Sequence, residues 1–420
     1  MKKILLLMIA LLSLALLFSC GDEGGVKPVD TTDVGSQTEG TPDETTETNP
    51  GRPPIPVEVL NSYKYVTFSL PTVPFRDAIV DHMRKQASIE WVCSNDFGVN
   101  EKFNSWGIDL TFIKGQKYTG IPYADTKVSY DQWVEAIGPN KRYTCDSDQW
   151  KDVFGVQCVS SIMNSIQQFD PSVCGYSTHL TPGQKEFKGV ILGDYTVTED
   201  VKQTKMIIEA NSPEVLAEAY AKLKKGDIII RQDYINDASH LRVIATDPVI
   251  TRNAAGKINM NRSTVTCVEQ TNSFDKSRTD GVKTTWWMDH VYTFDQLRGT
   301  DYVPVTLEIY SKDPATCELP YIYLDKEILE SQIQKNALGS TVKSNFPIRF
   351  VHLDIYKKSG EFVKREMAYD MASNYSVNLR KYSMTLTDGL ESGEYTLVVT
   401  AGIAIDKAEL GRFDFTFTKK

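Results

Sequence analysis

The sequence predicts an α+β chain with two folded parts, a mixed one over residues 58–305 and an all-β one over 306–420. Three observations carry that prediction. Helix-period and strand-period stretches alternate from Ser62 to about Pro304. From there to Lys420 nearly every stretch alternates apolar and polar residues, with Gly, Ser, Asn and Asp turns between. About 360 residues follow the polar N-terminal region, more than one hydrophobic core usually holds.

The chain opens with MKKILLLMIALLSLALLFSC: two lysines, an apolar run too short for a comfortable span, and Cys20 followed by Gly21. This pattern is that of a lipoprotein signal peptide over 1–20, with Cys20 acylated after cleavage and no transmembrane helix retained. The expected location is therefore the cell envelope, with the chain lipid-anchored to the outer membrane. Residues 21–57 are Thr, Glu, Asp, Pro and Gly with few apolar side chains, so they cannot bury enough surface to offset chain entropy and read as a disordered tether. Eight acids and two bases fall between 21 and 52, so six of the nine net negative charges lie there. The remainder is close to neutral, and nothing in it is basic enough for a nucleic-acid surface.

Within the mixed part, FRDAIVDHMRKQASIEW and PEVLAEAYAKL have helical periods, while DIIIRQDY, HLRVIAT and STVTCVEQ read as strands. GVQCVSSIMNSIQQF puts Cys158 at the start of an apolar helical run. A thiolate is a far better nucleophile than a thiol, and a helix N-terminus with a nearby imidazole favours the thiolate. The segment LKKGDIIIRQDYINDASHLRVIA places His240 at the head of a strand, on one face with Arg242 and Ile244. Glu269 follows 29 residues later on another strand, sharing a face with Cys267. A carboxylate there can accept the imidazole N–H and fix its tautomer. Gln270 does the same as a neutral amide if the faces are reversed. Upstream, KGQKYTGIPYAD sets Tyr123 on a Gly and Pro turn able to line the same cleft.

GIPYAD, then FGVQCVSSIMNSIQQF, LKKGDIIIR…HLRVIA and VTCVEQT together resemble the NlpC-type papain-fold cysteine peptidases. The resemblance spans roughly residues 62–305 and implies a papain-like hydrolase of cell-wall peptides. Cys158 would be its nucleophile, His240 its base, Glu269 its third residue and Tyr123 a wall of its substrate subsite. The sequence departs from the family around the thiol, where Gln157 replaces the usual Asp, Val159 the Ser and Ser160 the Gly. These changes bear on substrate preference more than on the chemistry.

In the all-β part, VTLEIYS, IRFVHLDIY, GEFVKREMAY, YSMTLT, GEYTLVVTAGIAI and GRFDFTFT read as the strands of a small β-sandwich, expected to be an Ig-like accessory domain that can meet a protein partner. Apart from Cys20 there are six cysteines, Cys93, Cys145, Cys158, Cys174, Cys267 and Cys317, an even number compatible with three disulfides unless Cys158 stays reduced for catalysis. There is no CxxC or HExxH, so no metal or cofactor is expected. The expected function is amide hydrolysis in peptidoglycan stem peptides, of the γ-D-glutamyl endopeptidase kind. The alternative is an inactive papain-like module that binds wall fragments or a protein partner.

Overall fold

The computed structural model describes residues 38–39, 51–98, 110–146, 152–173, 176–369 and 374–420. The leader, Cys20 and Cys174 lie outside the described residues. The described residues form one compact unit in which helices and mostly antiparallel sheets are mixed, an α+β architecture.

The central sheet has the order β10 (Trp286–Thr293), β9 (Thr264–Gln270), β8 (Ala238–Val249), β7 (Ile228–Asp233), β11 (Val303–Leu307), β6 (Gly189–Ile191), and every neighbouring pair is antiparallel. Its middle strands are apolar on both faces, as Ile228, Ile229, Ile230, Leu241 and Val243 are all fully buried. That is the composition of a strand covered by other elements on each side. The helices Phe75–Ser88 and Cys158–Ile166 pack on each other and reach β8 and β9. Pro74, with its fixed φ, precedes the first of these helices, Asp77 lies in its first turn and Lys85 in its last, as the helix dipole favours. A small sheet, β4 (Lys117–Thr119), β3 (Glu90–Cys93), β5 (Arg142–Tyr143), flanks them and carries a packed aromatic cluster of Trp91, Phe112, Tyr118, Trp133 and Tyr143.

Two further sheets complete the molecule. One has the order β1 (Thr38–Glu39), β2 (Lys64–Thr67), β12 (Tyr321–Leu324), β13 (Thr341–Ser344), β16 (Ser376–Asn378), and the other β15 (Phe362–Tyr369), β14 (Ile348–Lys357), β17 (Gly393–Ile403), β18 (Glu409–Lys419). The alternation read in GRFDFTFT is present in β18, where Phe413, Phe415 and Phe417 are buried and the residues between them exposed. The two sheets meet where Tyr63 packs 6.2 Å from the rings of both Phe413 and Phe415.

The organisation differs from the sequence expectation at four places. VTLEIYS is not a strand of the C-terminal sheets. Its first half belongs to β11, buried between β7 and β6, and Glu308–Ser311 is a 3-10 turn. The expected boundary at 305/306 therefore falls inside a central-sheet strand. YSMTLT forms turns after the 3-10 segment Leu379–Tyr382, because the Ser383 hydroxyl bonds the local Arg380 carbonyl and accepts from Leu338 N–H. Lys64–Thr67, from the front of the mixed part, pairs with Tyr321–Leu324, so the C-terminal sheets include an N-terminal strand. Thr38–Glu39, within the stretch expected to be a disordered tether, pairs with β2. Backbone pairing at a sheet edge needs no apolar side chain.

Candidate active site

Cys158 is the first residue of its helix and 3 % exposed. The helix starts because Gln157 is extended and its backbone N–H donates to Ser160 Oγ at 2.9 Å, satisfying one of the donors a helix start leaves over. All nine residues Cys158–Ile166 are buried, so the thiol is mounted on a rigid core element. The thiol lies 3.5 Å from the Ser239 carbonyl, at the start of the strand that carries His240.

His240 and Glu269 meet across neighbouring strands. The ring nitrogen Nε2 is 2.5 Å from Glu269 Oε2, which leaves Nδ1 for the thiol, and the Cys158 and His240 side chains interact directly. The ring is about one-fifth exposed, whereas Glu269 is almost completely buried. A buried carboxylate needs several donors to remain charged. Arg242 Nε donates to the same Oε2 at 2.9 Å, and the Tyr292 hydroxyl donates to Oε1. The Arg242 guanidinium is itself held between two rings, 3.8 Å from the centre of Tyr292 and 4.1 Å from that of Tyr302.

The electrostatics follow from this packing. Burial opposes a charged imidazole, but the bonds to Cys158 and Glu269 outweigh it and push the ring up to about 9. Burial would likewise raise the Glu269 carboxyl, yet His240, Arg242 and the Tyr292 hydroxyl hold it down at about 2. The cluster thus carries an imidazolium, a carboxylate and a guanidinium at neutral pH.

The Tyr123 turn is fastened to the helix start by backbone bonds. Val156 N–H donates to the Pro122 carbonyl at 3.0 Å, and Ala124 N–H to that of Val156 at 3.0 Å. Gly155 permits this approach, since a Cβ there would lie 2.3 Å from the Pro122 oxygen. The turn is also tied to the sheet, because the Ile121 carbonyl accepts from both Trp286 Nε1 and Gln270 Nε2. Gln270 therefore points away from the imidazole, and Glu269 occupies the His240 face. The Tyr123 phenol is driven well above its usual range by burial first, then by the nearby Cys158 and Asp125 groups. Gln157, standing where the resembled family has an acid, donates from Nε2 to Asp125 Oδ1 at 2.7 Å.

All four sequence-predicted positions, Cys158, His240, Glu269 and Tyr123, thus come together. The sequence reading missed Tyr292 and Tyr302 as partners of Arg242, and the Asp125 to Gln157 bond. Tyr292 belongs to WWMDHVYT, whose alternation breaks at a bulge between Trp287 and His290, so periodicity alone does not assign its face. Among the described residues no disulfide joins Cys93, Cys145, Cys158, Cys267 or Cys317, and no group of three His, Cys, Asp or Glu side chains is placed to hold a metal ion. No helix among them is long and apolar enough to cross a membrane. No protein-family model, no curated protein and no solved structure matches the chain.

Proposed function

We propose that the protein is a cysteine amidohydrolase with a papain-like, NlpC-type catalytic arrangement, lipid-anchored in the cell envelope through Cys20, with peptidoglycan stem peptides as substrate. One observation carries the proposal: a thiol at the N-terminus of a buried helix beside an imidazole whose far nitrogen is held by a buried carboxylate. That combination supplies nucleophile, acid–base group and orienting group in one place.

In the proposed reaction the Cys158 thiolate adds to the amide carbon, and the resulting oxyanion is held by the Cys158 backbone N–H in the first helical turn. His240 gives its proton to the departing amine, which breaks the C–N bond and leaves a thioester. Water then adds to the thioester carbon while His240 takes its proton, and the thiolate departs with the acid product released. Glu269, pinned by Arg242 and Tyr292, keeps the ring in one orientation through both steps. The four-stranded and five-stranded sheets are read as an Ig-like sandwich beside this site.

The test is to incubate the chain and its Cys158→Ala variant with purified peptidoglycan and with stem peptides, and to identify products by mass. Cleavage by the unaltered chain alone is the expected result, and the products name the bond. Equal cleavage by the variant rules out this site. Absence of cleavage by either folded protein favours a binding module.

A further inference from the structure

The turn between β17 and β18, residues 404–407, lies far along the chain from Cys158 yet is bonded to two helices of the mixed part and to the turn that follows the Cys158 helix. Asp406 is the centre of the contact. Its side chain is 11 % exposed, and Oδ2 accepts from Lys85 Nζ at 2.7 Å and faces His82 Nε2 at 3.1 Å. Burial would raise this carboxyl, but the His82 and Lys85 contacts hold it well below the usual carboxylate range. Asp406 N–H donates to Gln168 Oε1 at 3.0 Å, and Gln168 Nε2 returns a bond of 2.9 Å to the Ala404 carbonyl. Lys407 N–H donates to Asp131 on the helix Tyr130–Ile137.

From Asp406 the bonds continue to the backbone of Cys158. His82 Nδ1 is 2.9 Å from Ser165 Oγ, and Gln86 Nε2 reaches both Ser165 Oγ at 3.0 Å and the Ser161 carbonyl at 2.9 Å. Ser161 Oγ donates to the carbonyl of Cys158 itself at 3.1 Å. A second strut comes from β14, where Arg349 Nη2 bonds Asn164 Oδ1 at 2.9 Å and also Gln167. A buried hydrogen-bonded network of this kind restrains the elements it joins, and a displacement of about 1 Å at a nucleophile can cost roughly a hundredfold in rate.

We propose that Asp406 is a positioning residue for the Cys158 helix, so that the β17–β18 turn is a working part of the site and the C-terminal sheets are not a detachable accessory. This rests on the reading of Cys158 as a reactive thiol.

The experiment measures iodoacetamide alkylation of the full chain by peptide mass mapping, following Cys158 and using fully buried Cys267 as a built-in reporter of unfolding. In Asp406→Ala, Cys158 labelling is expected to slow at least about tenfold while Cys267 stays unlabelled. In Asp406→Asn, whose amide oxygen still accepts from Lys85 and His82, most of the rate should return. Unchanged Cys158 labelling in folded Asp406→Ala overturns the positioning role. Cys158 labelling in the unaltered chain no faster than Cys267 overturns the reactive-thiol reading on which the role rests. If Asp406→Ala exposes Cys267, the same rates are read in Gln168→Leu, which cuts both backbone bonds to the turn without stranding a charge. Slowing there supports the proposal, and an unchanged rate refutes it.

Discussion

Replacing Glu269 with Gln should lower the His240 pKa by about one pH unit or more, and the size of the fall can be worked from the contacts. Its contacts push the ring from an ordinary 6.5 up to about 9. Burial pulls the other way, so Cys158 and Glu269 together supply more than that. Removing one opposite charge at hydrogen-bond distance typically moves a pKa by about 1–3 units, which sets the expected fall at about one unit or more. The sign follows from charge: the carboxylate favours the imidazolium, and its removal leaves the Arg242 cation facing the ring without a counter-ion, which lowers the pKa further. The assay is NMR titration of selectively labelled histidine. The chain has five histidines, few enough for His240 to be assigned by its loss in His240→Gln. A midpoint in Glu269→Gln within a few tenths of a unit of the unaltered chain would refute the reasoning, because the carboxylate would then contribute nothing to the charged ring.

Arg242→Met should destabilise the fold by about 3–5 kcal/mol, since it leaves a buried carboxylate short of its cation. Urea denaturation reads the loss, and much of it should return when Glu269→Gln is added, whereas additive losses in the double variant would count against the pair. Gly155→Ala should cost about 1–3 kcal/mol through overpacking, because its new Cβ would lie 2.3 Å from the Pro122 oxygen and 2.8 Å from the Ala124 Cβ. An unshifted urea midpoint there would mean that the Tyr123 turn yields freely and does not frame the thiol.

Some of this molecule was legible in its residues alone. The Cys158 helix, β7, β8 and β9 were each readable from local periodicity, which is a property of a dozen residues at a time. The pairing of His240 with Arg242 on one face followed from strand alternation, and so did the burial of Phe413, Phe415 and Phe417 in β18. Where local chemistry competes with periodicity the reading failed, as in YSMTLT, whose Ser383 hydroxyl bonds the nearby Arg380 carbonyl.

What only the tertiary structure decided concerns register and long-range partnership. Glu269 rather than Gln270 faces His240 because β8 and β9 pair in one register, and a shift of one residue would exchange the two. Residues 64–67 and 303–307 join sheets that their neighbours in sequence do not predict, because an alternating stretch specifies two faces but not the strand beside it. Asp406 is an ordinary turn acid in the sequence, and it meets His82 and Lys85 only through a chain reversal more than three hundred residues away. The amino-acid order by itself determined the strongly periodic elements and which of their side chains share a face. Their assembly around Cys158 was decided by burial, which selects among the many pairings that local pattern allows.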